Sequence, residues 1–414
     1  MSALFSDTSA AHASAPHNGQ TLRICIACET YAPEVNGAAK FAERLATALA
    51  GRGHEVHVIC PSPNGKRRNT RQDGVILHYV KSVRWRPHPT WRICMPWDTR
   101  PAVAQILDAI RPDVVHTQAH FVIGRFAFNE ARKRGIPVVA TNHFMPGNVR
   151  PYLPAPDPVL DIVTKGAWWD LRRKFESADY ITVPTQLAAD LLTDHGFTHD
   201  IHPVSCGIDL SKFHAACATG DTAQAEAPTV LFVGRLSAEK NATDIVRALA
   251  KTDPALNLHA EIIGHGDQAP VLEALAVELG VAERVRLLGK VDDDALVSAY
   301  QRATFFCLPG TAELQSIATL EALASGKPVV LADAVALPHL CRDGENGYLF
   351  TPRDTDDLAA KFTRLLTASQ EERAAMGRVS QEIVAKHDIE NTLNTFEDIY
   401  AEVIAAHSRV RRPA

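Results

Sequence analysis

The sequence predicts an α/β protein made of two Rossmann-like lobes whose parallel sheets face a central cleft. Two observations carry this prediction. Apolar strand-like runs alternate with amphipathic helical patterns in two separate series, and a polar, alanine-rich stretch at 216–229 lies between the series. The 414 residues, 46% hydrophobic and 22% charged, are enough for two domains that each bury a core. This composition excludes collagen-like, disordered and small disulfide-scaffold proteins.

The first series supplies the N-terminal lobe. Its strands read as short buried runs, and the helix after the first strand ends at a pair of glycines. Such alternation is typical of a parallel sheet with crossover helices. Strands are predicted at 22–28, 55–60, 113–116, 137–141 and 180–184, and a helix at 39–50.

The second series supplies the C-terminal lobe in the same way. Strands are predicted at 229–234, 258–264, 285–289, 304–309 and 328–332, and helices at 241–250, 269–279, 293–301, 316–325 and 355–367.

Four segments follow from this organisation. Residues 1–20 are expected to be a disordered leader, residues 21–210 the N-terminal Rossmann-like lobe, and residues 211–388 the C-terminal Rossmann-like lobe. Residues 389–414 are expected to form a helix, centred on 389–407, and a basic tail that packs back on the N-terminal lobe.

Charge is distributed unevenly along the chain. Residues 1–215 carry 24 Lys and Arg against 19 Asp and Glu, and residues 216–414 carry 19 against 29, so the halves have net charges of +5 and -10. A basic half fused to an acidic half is typical of a protein in which one lobe faces an anionic partner, although unequal loop charges without a function give the same count. The eight cysteines lack framework spacing, so reduced structural thiols are expected.

Two cations follow the first strand of the second lobe. In this type of sheet, ligands bind beyond the carboxyl ends of the strands, where loops lead into helices. Gly234, Arg235 and Lys240 lie in such a loop, so the guanidinium fork and the mobile ammonium can reach a phosphate group. Ordinary surface cations are the alternative. Gly264 and Gly266 form a GxG turn after the next strand, which by itself is weak evidence for a nucleotide.

The sharpest constellation is the segment from Glu313 to Glu321. Glu313, Leu314, Gln315 and Ser316 fall in the loop after a strand, and Glu321 falls within the next helix, beside its buried stripe. A carboxylate in that position needs a partner. The hydroxyls of a sugar or ribose would supply one, and so would backbone amides.

Polar residues at the strand ends of the first lobe are candidates for a site in the cleft. His116 and His120 follow one strand, and Asn142 and His143 follow the next. A single histidine of this kind is more often structural, but the cluster raises the expectation of a cleft site. Asn36 with Gly37 precedes the first helix, where backbone N–H groups can approach an anion.

Other chemistries lack their motifs. Asp292, Asp293 and Asp294 resemble a metal motif but directly precede a helical run, where acidic residues suit the N-cap and first turn. No zinc spacing, GxSxG motif or Walker A loop is present. The sequence therefore predicts no metal site and no resident cofactor. A dehydrogenase would need a dinucleotide fingerprint that is not clear here.

Taken together, these residues resemble the retaining GT-B glycosyltransferases of family 4, from residue 22 to about residue 400. The resemblance is carried by the Asn36-Gly37 loop, FVGRLSAEKN, IIGHGD, the two glutamates seven residues apart, and DGENGYLFTPRD at 343–354. It implies transfer of a hexose from a UDP- or GDP-sugar with retained configuration and no essential metal.

The resemblance also implies roles for single residues. Arg235 and Lys240 hold the diphosphate, Glu313 binds sugar hydroxyls and has a catalytic role with the two cations and His120, and Glu321 binds the ribose. The lobe at 21–210 is expected to bind the acceptor through Asn36, His116, His120, Asn142 and His143, and the lobe at 211–388 is expected to bind the nucleotide sugar. The other residues expected to contact the donor are Gly37, Gly234, Gly264, Gly266, Leu314, Gln315 and Ser316. Val291 lies in a loop expected to contribute to base recognition. Many relatives have a glycine two residues after the first glutamate and a histidine two residues after the strand histidine.

At those two positions this chain has Gln315 and Gln118, which leaves the sugar contacts open. Either His116 or His120 can take the place of the cleft histidine, and we favour His120 because it lies farther into the loop.

The stretches HTQAHFVIG and AELQ are most similar to enzymes that glycosylate diacylglycerol-type lipids. Segment 81–100 carries five Lys and Arg, one Asp and three Trp, a mixture suited to an anionic membrane interface, although a loop packed on the first lobe is the alternative. The expected partners are a nucleotide sugar, a lipid acceptor and a membrane surface, without nucleic acid, for a monomer or homodimer.

No apolar run approaches the roughly 20 residues that cross a bilayer, and the N-terminus lacks the pattern of a signal peptide. We therefore expect a cytoplasmic protein that lies on the inner face of the cell membrane. The alternatives are a soluble polyol or saccharide as acceptor, or a non-catalytic sugar-nucleotide-binding subunit.

Overall fold

A computed structural model describes residues 16–17, 19–34, 36–85, 91–146, 153, 155–213 and 227–410. Most of the predicted leader, the middle of segment 81–100, most of the predicted connection at 216–229 and the end of the basic tail lie outside these residues. Within the described residues, none of the helices is both long enough and apolar enough to span a bilayer. The seven described cysteines are buried and form no disulfide.

The first lobe is built on an eight-stranded sheet of order β10-β9-β8-β7-β1-β2-β4-β3. All of its pairings are parallel except that between β3 and β4, which a two-residue turn at Asp73 and Gly74 joins as a hairpin. A separate two-stranded ribbon pairs β5 with β6. The strands are β1 (Arg23–Ala27), β2 (Glu55–Pro61), β3 (Arg68–Gln72), β4 (Val75–Val80), β5 (Ser82–Arg84), β6 (Arg92–Cys94), β7 (Val114–Thr117), β8 (Val138–Thr141), β9 (Tyr180–Val183) and β10 (Ile201–Pro203).

The second lobe is built on a six-stranded parallel sheet of order β13-β12-β11-β14-β15-β16. Its central strands are buried along their whole length, as expected for a parallel sheet covered on both faces. The strands are β11 (Thr229–Val233), β12 (His259–Ile263), β13 (Val285–Gly289), β14 (Phe305–Leu308), β15 (Val329–Ala332) and β16 (Gly347–Phe350).

Helices cover both faces of each sheet, and separate apolar clusters fill the layers between them. The first lobe contains α1 (Gly37–Gly51), α2 (Pro96–Ile110), α3 (Val122–Lys133), α4 (Asp157–Phe175) and α5 (Gln186–Asp194). The second lobe contains α6 (Ala242–Lys251), α7 (Ala269–Glu278), α8 (Asp293–Arg302), α9 (Ile317–Ala324), α10 (Thr355–Thr367) and α11 (Gln370–Val384). The last helix is α12 (Ile389–Val410).

The predicted class, two α/β lobes with parallel sheets, is confirmed, and every predicted strand and helix is present. The elements that the sequence analysis did not name include the edge strands β3 and β10. β3 is almost entirely polar and exposed, so no hydrophobic pattern marks it. Pairing with β4 makes it a strand, which is a tertiary effect.

Helix α12 lies against the first lobe, although it follows the second. Its residues Phe396 and Tyr400 belong to the same buried cluster as strand β1 and helix α1. Beside them, the buried carboxylate of Glu397 accepts hydrogen bonds from Arg52 Nη1 at 3.0 Å and contacts His54 Nε2 at 2.8 Å. It also accepts one from the backbone N–H of His17 at 2.7 Å. The end of the predicted disordered leader is therefore held on α12.

The chain crosses between the lobes twice, and the two crossings lie side by side. Ile208 N donates to the His387 carbonyl at 2.9 Å, and Ile389 N donates to the Ile208 carbonyl at 2.9 Å. Gly207 permits this approach: its φ is +62°, and a Cβ there would lie 2.6 Å from Thr392 Oγ1. The crossings therefore form one paired connection between the lobes.

We predict that Glu397→Ala destabilises the first lobe by about 3–5 kcal/mol, because it leaves the buried Arg52 and His54 without their partner. All five tryptophans lie between residues 85 and 169, so urea unfolding followed by tryptophan fluorescence reports this lobe. Glu402→Ala, an exposed change on the same helix, is the control and should shift stability by less than about 0.5 kcal/mol. Equal stability of the two variants would contradict this account of the anchor.

Candidate active site

Arg235 lies in the loop after β11, at the carboxyl edge of the second sheet. Its Nη2 donates to Glu239 Oε1 at 2.9 Å, and Ser237 Oγ donates to the same oxygen at 2.6 Å. Arg235 Nε and Glu239 Oε2 are buried without a hydrogen-bond partner. The guanidinium is therefore oriented by one carboxylate and keeps unused donor capacity.

Lys240 and Glu313 form an ion pair across two adjacent loops, those after β11 and β14. The Glu313 side chain is 10% exposed and that of Lys240 20% exposed. Asn241 Nδ2 also joins the two loops by donating to the Pro309 carbonyl at 3.1 Å. Two of the predicted donor-binding side chains are thus in direct contact, and each satisfies the other's charge.

Gly264 and Gly266 let the loops after β11 and β12 touch through their backbones. A Cβ at Gly264 would lie 1.8 Å from the Gly234 carbonyl oxygen, and one at Gly266 would lie 2.1 Å from the Leu236 carbonyl oxygen. The glycines are therefore required to position the Arg235 loop. Val291 is half-buried against the core of the second lobe. Contact of these residues with a donor stays a prediction.

Glu321 lies in α9 with its side chain 12% exposed, and it faces the first lobe. Tyr300 Oη donates to its Oε2 at 3.0 Å, and Arg44 of α1 lies 3.8 Å from its Oε1. Burial raises the pKa of Glu321, and the charge of Arg44 opposes that rise. The carboxylate is thus fixed in place near a cation from the opposite lobe.

The Gln315 side chain forms hydrogen bonds to the connection between the lobes. Its Oε1 accepts from Cys206 N at 2.8 Å, and its Nε2 donates to Ser205 Oγ at 3.0 Å. Both ends of the amide are already bonded, so a donor contact by Gln315 stays a prediction that falls to its backbone. A sequence pattern does not show that the loop after β14 reaches this connection.

Leu314 likewise contacts the first lobe. Its side chain packs in the cluster between β9 and α4, and its carbonyl accepts from Thr185 Oγ1 at 2.9 Å. A donor contact by Leu314 therefore stays a prediction that does not involve its side chain. Ser316 begins α9 as its N-cap, accepting from Thr319 N at 3.2 Å.

Asn36 caps α1 by accepting from Ala39 N at 2.9 Å. Apart from its chain neighbours and the helix's own backbone, no atom of the described residues lies within 4 Å of the position that a Cβ on Gly37 would occupy, so there is free space beside the first turn of the helix. A helix N-terminus with room in front of it suits an anion. An acceptor contact by Asn36 and a donor contact by Gly37 stay predictions.

His116 does not belong to the cleft, which corrects the prediction that it binds the acceptor. It lies within β7 and is fully buried. Its Nδ1 lies 2.7 Å from Tyr400 Oη and its Nε2 lies 2.6 Å from Thr141 Oγ1, so both ring nitrogens are used. His116 instead ties the first sheet to α12.

His120 occupies the loop after β7 and fits the cleft position. Its ring packs on Phe121, with centroids 4.3 Å apart, and burial lowers its pKa to about 4. The imidazole is therefore neutral at pH 7. Asp170 Oδ2 lies 3.8 Å from Nε2, which favours a proton on Nε2, and the buried Nδ1 has no hydrogen-bond partner among the described residues. Nδ1 is thus available to accept a hydrogen bond from a ligand.

Asn142 and His143 follow β8. The Asn142 side chain bonds the backbone N and O of Phe144 at 3.2 and 3.0 Å, which shapes the loop. His143 packs against Phe41 with its Nε2 buried and unpaired, and burial lowers its pKa to about 4. Gln118, two residues before His120, has both side-chain amide atoms buried without a partner.

Two glutamates of the loop after β1 were not singled out by the sequence analysis. Glu29 accepts from Gly124 N at 3.0 Å, at the start of α3, and burial raises its pKa to about 7. Burial likewise raises the pKa of Glu34 to about 7, against the opposing charges of Arg235 and Arg92. The charge of Arg235 therefore acts on Glu34 from the other lobe. Its only sequence signal was its position after a strand.

Unpaired polar atoms concentrate in this region. Among the described residues, twelve buried side-chain N and O atoms lack a hydrogen-bond partner, and seven of them belong to strand-end loops of the two lobes. Buried polar groups are normally satisfied, so this cluster indicates space for water or a polar ligand. The seven atoms belong to Glu34, Gln118, His120, His143, Arg235 and Glu239.

In the part of the chain that the structure describes, no group of three or more His, Cys, Asp or Glu side chains is placed to hold a metal ion. The expectation of a metal-independent reaction stays a prediction.

Two family models match the chain, one for each lobe. Residues 35–212 match the model described as Glycosyltransferase Family 4, and residues 221–382 match the model described as Glycosyl transferases group 1.

Named relatives align over most of the chain. A GDP-mannose-dependent alpha-mannosyltransferase of Corynebacterium glutamicum is 27% identical over 400 residues, which covers 94% of this chain and 91% of that protein. An alpha-monoglucosyldiacylglycerol synthase of Streptococcus pneumoniae is 26% identical over 360 residues, which covers 84% of this chain and 79% of that protein. The solved structure of Anabaena HepE in complex with UDP-glucose has the same fold, with a TM-score of 0.72, 17% identity, and coverage of 93% of this chain and 100% of that one.

We predict that Arg235→Met raises the pKa of Glu34 above about 7, because the charge of Arg235 holds that pKa down. The titration of the Glu34 carboxyl can be followed by carbon NMR of glutamate-labelled protein. Arg378→Met, which removes an exposed cation of α11, is the control and should leave the titration unchanged. An unchanged pKa in Arg235→Met would show that the two side chains do not face each other across the cleft.

Proposed function

The chain belongs to the family 4 glycosyltransferases, has the GT-B fold and is a nucleotide-sugar-dependent transferase, and we propose that it moves a hexose from a UDP- or GDP-sugar to a hydroxyl group of a diacylglycerol-type or other membrane lipid. The transfer retains the anomeric configuration and needs no metal. It takes place at the inner face of the cell membrane.

The observation that carries the proposal is the pair of cations after β11, each held by a carboxylate. Arg235 is oriented by Glu239, and Lys240 is paired with Glu313. A diphosphate competes for both cations because it offers more negative charge and more acceptor oxygens than one carboxylate. Negative charge grows on the departing nucleotide as the sugar–phosphate bond breaks, and fixed cations stabilise that charge.

Displacement of Lys240 toward the diphosphate frees Glu313 for the sugar. The nearly buried carboxylate then accepts hydrogen bonds from donor-sugar hydroxyls in place of the ammonium. Glu321, held by Tyr300 and buried beside Arg44, has an Oε1 free of hydrogen bonds among the described residues and accepts from the ribose hydroxyls. The two glutamates thus bind the two sugar rings of the donor.

The first lobe binds the reacting sugar and the acceptor. His120 is neutral at pH 7 and offers Nδ1 as an acceptor, so it orients a sugar hydroxyl rather than supplying a positive charge. The acceptor oxygen attacks on the face from which the nucleotide leaves, and its proton passes to the departing phosphate oxygen. His143 and Gln118 have further unpaired atoms for the same ligands.

A lipid acceptor is supported by the relative named as an alpha-monoglucosyldiacylglycerol synthase, which aligns over 84% of this chain. The donor base is open between uridine and guanosine, because one relative is named as GDP-mannose-dependent and one structural neighbour contains UDP-glucose.

Nucleotide release tests the proposal directly. Purified protein is incubated in EDTA with UDP-glucose or GDP-mannose, with and without vesicles that contain diacylglycerol. We expect release that requires the vesicles, with one of the two donors. Release that requires a soluble polyol or saccharide instead would correct the acceptor class. The absence of release with either donor and any acceptor would contradict the proposed reaction and favour a non-catalytic sugar-nucleotide-binding role. The anomeric configuration of the product, compared with that of the donor by NMR, tests retention.

We predict that Glu313→Gln lowers the rate of transfer about 100-fold or more, because an amide cannot replace the charge-assisted hydrogen bonds of the carboxylate. The fold should remain intact, since Gln matches Glu in size. Glu345→Gln, a change at a largely exposed carboxylate of the second lobe, is the control and should keep the full rate. A full rate in Glu313→Gln would remove Glu313 from the site.

A further inference from the structure

Two open cavities lie outside the cleft, on the surface where α3 meets α2 and α4. They have volumes of about 370 Å³ and 260 Å³ and share Asn129 in their linings. Cationic side chains dominate both linings. We call this pair of cavities the cationic groove, and its six cations are Arg100, Arg132 and Lys133 in the larger cavity and Arg125, Arg173 and Lys174 in the smaller one.

The positive charge of the groove is only partly neutralised. Its two acidic lining residues are Glu130, which pairs with Lys133, Arg100 and Arg134, and Asp170, which pairs with Arg125. Among the described residues, Arg132, Arg173 and Lys174 have no ion pair within 4 Å. Instead, Lys174 donates to Asn129 at 2.7 Å, and Arg173 lies over the ring of Trp169. These cations of the groove are therefore not neutralised by a carboxylate and can bind an anion.

The pKa of Lys174 reflects the same excess of positive charge. Burial lowers it first, and the neighbouring charges of Arg125 and Arg173 lower it further. A site crowded with like charges gains free energy when an anion enters it.

An exposed apolar face of α4 borders the groove. Val159, Ile162, Val163 and Trp169 are between 47% and 71% exposed. At about 100° per residue these four positions fall within an arc of about 120° around the helix, so they share one face. The same spacing places Asp170 and Arg173 on that face. The opposite face of α4 packs inward through Leu160, Leu171 and Phe175, which are buried.

We propose that the cationic groove and the apolar face of α4 form the surface on which this protein docks to an anionic lipid bilayer. The groove takes lipid phosphate groups, and the apolar side chains enter the interface between headgroups and acyl chains. The inference deepens the proposed function and rests on it for the choice of a membrane as the partner.

The combination of charges and apolar side chains favours a bilayer. A helix with cations beside exposed Trp and Ile is suited to the bilayer interface, where long basic side chains reach the phosphates while aromatic and aliphatic groups lie deeper. The 19 residues of α4 extend about 28 Å, enough to contact several lipids at once. Segment 81–100, for which the sequence predicts a membrane role, contributes Arg100 to the groove.

The groove also adjoins the cleft. Asp170 pairs with Arg125 in the groove, and its Oδ2 lies 3.8 Å from His120 Nε2. Asp170 therefore links the groove to His120, whose loop is proposed to orient the reacting groups. A bilayer on the groove would lie close to that loop. Docking here would bring lipid hydroxyls to the acceptor side of the cleft.

Sedimentation with vesicles tests the surface without depending on catalysis. The full chain is mixed with vesicles of phosphatidylcholine, with or without phosphatidylglycerol, and the bound fraction is measured. We expect binding that requires phosphatidylglycerol and weakens at high salt. The double variant Arg100→Glu, Arg173→Glu should bind about 25-fold more weakly, about fivefold for each cation lost. The matched control Arg378→Glu, Lys386→Glu makes the same change of charge on exposed positions of the second lobe and should bind as the unaltered chain does.

A second pair of variants tests the apolar face. Ile162 on α4 and Val277 on α7 are 71% and 70% exposed. Ile162→Ser should weaken vesicle binding, whereas Val277→Ser should not. Equal binding by both variants, or by both charge-reversal pairs, would overturn the proposed surface. So would tight binding of inorganic phosphate by the groove without binding to vesicles.

Glycosyl transfer to a diacylglycerol in neutral detergent micelles separates this inference from the proposed function. If the Arg100→Glu, Arg173→Glu variant loses vesicle binding but keeps transfer in micelles, the surface is supported and the site is intact. If the unaltered chain binds anionic vesicles but transfers no sugar to lipid, the proposed function fails while the surface stands. If it transfers sugar in micelles but does not bind anionic vesicles, the surface fails alone.

Discussion

The buried carboxylate of Glu397 is the interaction on which the arrangement of the two lobes depends. It binds Arg52, His54 and the backbone of His17, and so holds α12 on the first lobe after the chain has completed the second. Burying a charge is favourable only when its partners are also fixed, so this network defines one position for the helix. The paired crossings at Ile208 and Ile389 then connect the lobes at a single place. The cleft is the space between two bodies that are connected in this way.

The cleft contains charged and polar groups that a bound ligand can satisfy. Arg235 and Lys240 are paired with Glu239 and Glu313, which keeps the cations oriented and the carboxylates satisfied before a donor binds. Around them, buried atoms of several polar side chains lack partners. Such a site is less stable than a fully paired one, and a nucleotide sugar with its diphosphate and hydroxyls would satisfy it. The folded protein is less stable for this arrangement, but the site binds the donor more tightly and stabilises the charge that develops during the reaction.

The uneven charge of the chain also has a structural explanation. Six cations of the basic first half gather on α2, α3 and α4 around two cavities, next to an exposed apolar face. In the second half, Glu321 and Asp293 face Arg44 and Lys40 of α1, so acidic residues of one lobe meet basic residues of the other. The first lobe thus has two separate uses for its cations, one toward the second lobe and one toward a partner outside the molecule.

The sequence by itself determined the elements and the positions where chemistry is possible. Strands such as β14 and β15 are continuous apolar runs, and Arg235 and Glu313 follow strand ends, because each of these features depends on neighbouring residues alone. Only the tertiary structure decided which candidates share a site. His116 is a core residue because α12 returns to cover it, and Gln315 is bonded to Ser205, 110 positions away. Glu34 becomes a cleft residue only because Arg235 of the other lobe faces it. These assignments depend on contacts between distant parts of the chain, and local patterns carry no information about such contacts.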